Sequence, residues 1–132
     1  MSRRDVVWIS RLVALRVHDE QLVRHGGDEG MLNVGRLDAA LERPRMRLDY
    51  VPDISLEELA AGLAASIAKG HPFVDGNKRT AAVLSLMFLR LNEIEISATE
   101  EEIRDVFIAV ADGAMLESDL AAWFAENTLP PE

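Results

Sequence analysis

Cysteine is absent from the chain, and no apolar run approaches the roughly 18 residues that a bilayer-spanning helix needs. Without thiols, disulfides and thiolate zinc sites are excluded, and the fold must stand on packing alone. The N-terminus, Met1-Ser2-Arg3-Arg4-Asp5, leads into an amphipathic segment rather than a uniformly apolar one, so a cytoplasmic protein without membrane association is expected. Positive charge is also scarce. The net charge of −9 opposes general binding to nucleic acid, which relies on clustered Lys and Arg against phosphates, and no direct nucleic-acid contact is expected. Internal repeats and low-complexity tracts are missing too. What is present is a globular balance, 48% apolar and 28% charged, spread over 132 residues. That length suits one domain spanning 1–132, since domains commonly hold about 100–150 residues.

Helical periodicity dominates the chain. Trp8, Leu12, Leu15, Val17, Leu22 and Val23 predict a first helix from Asp5 to Arg24, ended by Gly26-Gly27. The glycine-rich stretch from Gly26 to Gly35 reads as an exposed loop with a short β-like flap. A short helix over Arg36 to Glu42 should stop before Pro44, because a residue preceding proline is pushed out of helical geometry. Arg43, Arg45 and Arg47 would then form a solvated basic cluster in a second loop running through Pro52. Ser55-Leu56-Glu57-Glu58 is a capping box, so a helix begins at Leu56, and its small residues, Ala60, Ala61, Ala64, Ala65 and Ala68, let neighbours approach closely until Gly70 ends it. It is expected to be the central helix. Arg79 to Leu91 is apolar on nearly all sides and predicts a buried helix. Thr99-Glu100-Glu101-Glu102 is a second capping box, opening a helix that Gly113 ends. A last helix from Glu117 to Asn127 should bury Leu120, Trp123 and Phe124, and Pro130-Pro131 should close the ordered chain.

Between the two most apolar helices lies Lys69-Gly70-His71-Pro72-Phe73-Val74-Asp75-Gly76-Asn77-Lys78-Arg79-Thr80. A helix starting just after a tight glycine turn aims its free N–H groups and the positive end of its dipole at the turn, where anions bind readily. A nucleotide is the expected ligand. His71 is the candidate general base, since imidazole exchanges protons near neutral pH. Asp75 offers a hard oxygen to Mg²⁺, which typically uses one or two carboxylates together with substrate phosphates. Gly76 permits a positive φ and close approach of backbone to phosphate, and Asn77 can cap the helix or orient a phosphate oxygen. Lys78 and Arg79 add full charges. Phe73 and Val74 read as anchors of the loop. Each residue also has an ordinary explanation: His71 as a cap, Asp75 as a turn former, Lys78 and Arg79 as solvated first-turn cations. First-turn cations oppose the helix dipole, however, so an anion that compensates them tips the reading towards a site. His18 and His25 read as surface residues.

The run His71-Pro72-Phe73-Val74-Asp75-Gly76-Asn77-Lys78-Arg79 resembles the signature of the Fic/Doc superfamily, and within it that of the death-on-curing, or Doc, toxins. The similarity extends to Gly26-Gly27, to Gly35-Arg36-Leu37-Asp38-Ala39-Ala40-Leu41-Glu42-Arg43-Pro44, to the small-residue helix and to the stretch from Phe88-Leu89 to Asn92. The resemblance implies an all-α Fic fold, a single helical domain with the motif loop between two central helices. It also implies transfer of part of ATP, with Mg²⁺, to a protein hydroxyl. AMP-transferring Fic proteins carry a second glycine and a second arginine where this chain has Lys78 and Ala82. Doc-like proteins share the lysine and act as kinases on a threonine of elongation factor Tu, within a type II toxin–antitoxin system. Kinase activity is therefore implied, with AMP transfer as the alternative because Gly76 stands where Doc proteins often have alanine. His71 would activate the hydroxyl, Asp75 would hold Mg²⁺, and Gly76, Asn77, Lys78 and Arg79 would hold phosphates. The region from Gly26 to Pro44 resembles the part that includes the target-docking flap. The segment Ala122-Trp123-Phe124-Ala125-Glu126-Asn127 lacks the hydroxyl residue of self-restraining Fic helices, so restraint is expected from a Phd-like antitoxin.

Overall fold

Over residues 5–130, the computed structural model describes six α-helices: α1 (Arg11–His25), α2 (Val34–Tyr50), α3 (Leu56–Gly70), α4 (Asn77–Leu91), α5 (Glu100–Asp112) and α6 (Glu117–Glu126). Among the described residues no strand forms, only isolated bridges, so the expected all-α fold is the one found. The residues Met1–Arg4 of the N-terminus, and the second proline of the pair expected to close the chain, lie outside the described residues. No helix among those described is long and apolar enough to cross a membrane.

The centre is α3. Its capping box forms as predicted, Ser55 Oγ accepting from Glu58 N–H at 3.0 Å while the Glu58 carboxylate accepts from Ser55 N–H. From Leu59 to Ala65, and again at Ile67 and Ala68, every residue of α3 is buried. The alanines bring α4, α2 and α6 close on three sides, with α5 behind. Phe88, Phe107 and Phe124 fill the spaces between these helices and are essentially solvent-free, each burial stabilising by about 1.5–3 kcal/mol. Thr99 caps α5 with the second predicted box, and Gly113 ends it at φ 80°. In α6, Leu120 and Phe124 are buried as expected while Trp123 is only half-buried.

Four expectations about the fold need correction. The first helix begins at Arg11 and not at Asp5, because Ser10 is its N-cap, accepting from Val13 N–H at 3.2 Å. The preceding segment is held instead by the Asn92 amide, which exchanges hydrogen bonds with both backbone groups of Val7, and Trp8 stacks on Phe88 from there. The second helix does not stop before Pro44 but runs through it to Tyr50. Tertiary anchoring overrides the local preference: Arg43 and Arg47, a turn apart on α2, both grip Glu117 at the start of α6, each with a 2.7 Å contact. The arginines therefore are not a solvated loop cluster. Arg43 also donates to Gly62 O and Ser66 Oγ of α3, and Arg45 lies 5.4 Å over the Trp8 ring. A Cβ at the mid-helix Gly62 would come within 3.2 Å of the Arg47 guanidinium, which would have to give by a few tenths of an ångström. Lastly, α4 starts at Asn77, two residues before the expected Arg79.

Candidate functional site

The motif is the turn by which α3 hands over to α4. His71 is the C-cap of α3, in the left-handed conformation at φ 49°, ψ 59°, with its N–H bonded to Ile67 O at 3.2 Å. Glycine usually takes this position, and another residue pays a backbone cost of roughly 1–2 kcal/mol there. Arg36 of α2 steadies the corner by donating to Gly70 O at 3.0 Å. The His71 side chain is exposed, with Nδ1 a long 3.4 Å from Asn77 Nδ2.

Past Pro72 the chain dips into the core. Phe73 is buried, and the Asn77 side chain closes the loop on it, Oδ1 accepting from Phe73 N–H at 3.1 Å and Nδ2 donating to Phe73 O at 2.9 Å. The Asn77 amide is thus engaged with the loop backbone and does not cap α4. Asp75 follows, half-buried. Its Oδ1 accepts from Gly76 N–H at 2.8 Å and its Oδ2 from Asp28 N–H at 3.2 Å, which leaves each carboxylate oxygen with a free lone pair. Gly76 is the N-cap of α4 at φ 79°, a conformation that suits glycine, and no side chain caps this helix. Lys78 is exposed and Arg79 half-buried in the first turn.

The glycine-rich segment lies along this turn as the expected flap. Met31 and Phe73 form an antiparallel bridge, Leu32 and Asn33 donate to Pro72 O, and Val74 donates to Gly30 O. Gly27, at φ 127°, is a requirement of the contact: a Cβ there would lie 2.8 Å from Asp75 Oδ2 and 3.0 Å from Leu22.

His71, Asp75, Gly76, Asn77, Lys78 and Arg79 are therefore gathered on one corner. Sequence reasoning missed three neighbours of that corner: Arg36, Gly27 and His18. His25 is exposed, as expected, but His18 is buried on α1, its ring stacked on Phe73 at 3.7 Å and Nε2 donating to Asp75 O at 2.8 Å. A signal existed, since Ala14, Val17, His18 and Gln21 recur at helical spacing and form the inner face of α1.

A helical domain built on a buried alanine-rich helix, with histidine at its end and an uncapped, cation-bearing helix start beyond, is the arrangement expected of Fic/Doc proteins. The chain belongs to the Fic/DOC family, whose model matches residues 8–89. Among curated proteins it is similar to Protein kinase doc of Escherichia phage P1, 36% identical over 110 residues that cover 83% of this chain and 85% of that protein. It is also similar to Toxin Doc of Mycolicibacterium smegmatis, 38% identical over 79 residues, 58% of this chain and 59% of that one.

Proposed function

We propose that this chain is the toxin of a type II toxin–antitoxin pair and a protein kinase, moving the γ-phosphate of ATP to a threonine of elongation factor Tu and so halting translation. One observation carries the choice of reaction: Lys78 is exposed at the first turn of the uncapped α4, and one turn further Ala82 is buried and uncharged. A lysine there occupies the turn in which AMP-transferring relatives bare their backbone, and Ala82 supplies no second cation. The likeness to a protein named as a kinase supports the same choice.

In this reading His71 takes the proton of the threonine hydroxyl as its oxygen bonds to the γ-phosphorus, while the bond to the β–γ bridging oxygen breaks and ADP leaves. Lys78, Arg79 and the free N–H groups at the start of α4 hold phosphate oxygens, and Gly76 lets them come near. Asn77 serves by shaping the loop, since its amide is engaged with Phe73. Among the described residues no group of three or more His, Asp or Glu side chains could hold a metal; Asp75, with a spare lone pair on each carboxylate oxygen, would hold a cation together with the phosphates. This suits Mg²⁺, which supplies neutralisation of phosphate charge. Restraint would come from a Phd-like antitoxin.

Incubating the chain with elongation factor Tu and ATP labelled at either the γ- or the α-phosphate tests the reading. Label on the factor from the γ position only is the expected result. Label from the α position instead would replace it with AMP transfer, the alternative that Gly76 keeps open by standing where Doc proteins often have alanine. A second expectation concerns Gly27→Ala. The added methyl displaces the Asp75 carboxylate, so half-maximal transfer should need about 10-fold more Mg²⁺, the lower end of what outer-shell changes cost in metal affinity. An unchanged Mg²⁺ titration would remove Asp75 from the metal.

A further inference from the structure

We propose that His18 is a positioning residue that holds the Asp75–Gly76 peptide in its working orientation, an inference that rests on the kinase reading above. A buried histidine is most often a satisfied core residue, and nothing more would follow had its partner been any carbonyl. Here three loop positions rest on one ring. The imidazole stacks on Phe73 at 3.7 Å and 6°, donates to the carbonyl of Asp75 at 2.8 Å, and comes within 3.6 Å of where a Gly76 side chain would begin. A carbonyl only accepts, so Nε2 carries the proton.

The reason this bond matters is the planarity of the peptide unit. Asp75 C=O and Gly76 N–H belong to one rigid plane and point in opposite directions. His18 grips the oxygen end, and at the other end Gly76 N–H donates to Asp75 Oδ1 at 2.8 Å. The imidazole thus sets, through one peptide, the direction of the carboxylate proposed for Mg²⁺ and the backbone on which α4 begins. Gly76, at φ 79° and without a side chain, offers little resistance to rotation of that plane. With the His18 bond gone, a flipped peptide would turn a carbonyl oxygen towards the carboxylate and the phosphates, where negative charge is unwelcome, and remove the N–H that orients Asp75.

Two variants separate the ring from its donor. His18→Phe keeps an aromatic face on Phe73 and removes the N–H; His18→Gln gives up the ring but carries an amide donor at similar reach. In full-length protein, the Gly76 amide should exchange with deuterium at least tenfold faster in His18→Phe, with the α3 amides unchanged, and return towards the parent rate in His18→Gln. Transfer should follow: kcat falls by about 10²-fold in His18→Phe, the scale of a misplaced reacting group, with KM for the protein target little altered, and His18→Gln recovers most of it. Parent-like Gly76 exchange in His18→Phe overturns the proposal, as does a Gln variant no better than the Phe variant or a kcat that ignores position 18. Should the parent chain transfer no phosphate while Gly76 exchange still follows residue 18, the kinase reading fails and the hold of His18 on the loop stands.

Discussion

Replacing His71 by asparagine is expected to lower phosphate transfer by about 10²–10⁴-fold, the contribution of a positioned general base, while leaving the melting temperature within a few degrees of the parent. Asparagine is the informative choice because of the backbone. At φ 49° and ψ 59°, His71 already stands where L-residues are disfavoured, and asparagine is among the side chains that tolerate the left-handed region best. Alanine would mix a backbone penalty into the result. Exposed, and with the long 3.4 Å approach of Asn77 Nδ2 as its polar contact among the described residues, the imidazole takes little burial with it. A fall in rate without a fall in stability then belongs to the proton-accepting ring. Single-turnover transfer from γ-labelled ATP, beside thermal melting, gives both numbers. A variant that retains a tenth or more of the parent rate would mean that the hydroxyl loses its proton elsewhere and that His71 is not the base.

The parts of this molecule that were legible in the sequence are those whose causes are local. Ser55 with Glu58, and Thr99 with Glu102, announce α3 and α5 within four residues, and both boxes form. The motif is contiguous, so its residues share a corner whatever the rest of the chain does. Two of the failures have causes distant in sequence. Pro44 argued locally for a helix end, yet α2 continues because Arg43 and Arg47 are tied to Glu117, more than 60 residues away. His18 looked like one more polar residue on an amphipathic helix. Its partner, Asp75 O, is 57 positions further on, and the inward spacing of α1 says only that the side chain is buried, not what it meets. Trp8 misled in another way. Its apolar character fitted a helical period, but it reaches the core from an extended segment by stacking on Phe88, since Ser10 draws the helix boundary two residues after it. Periodicity marks which residues go inside; the backbone that carries them is decided by caps and by tertiary ties.

Phe73→Ala should be the most damaging single change for stability and site together. The ring is 1% exposed, stacked face to face on His18. Truncating a buried phenylalanine costs about 3–5 kcal/mol, roughly a fifth or more of the 5–15 kcal/mol that holds a typical domain folded. The expected result is a denaturant midpoint lowered in proportion, with the slope of the transition unchanged. Phe124→Ala is the comparison that gives the number meaning. Phe124 is fully buried on α6, its ring against Phe107 of α5 and Trp123 of its own helix. Its loss should lower the midpoint by a similar amount and leave transfer near the parent rate at temperatures where the variant is folded. Phe73→Ala should not recover in that way, because the backbone of residue 73 is the seat of the Asn77 clamp and of the Met31 bridge, and the cavity lets both shift. Equal transfer by the two variants, measured where both are more than nine-tenths folded by circular dichroism, would show that the loop keeps its shape without the ring, and that Asn77 alone is enough to hold it.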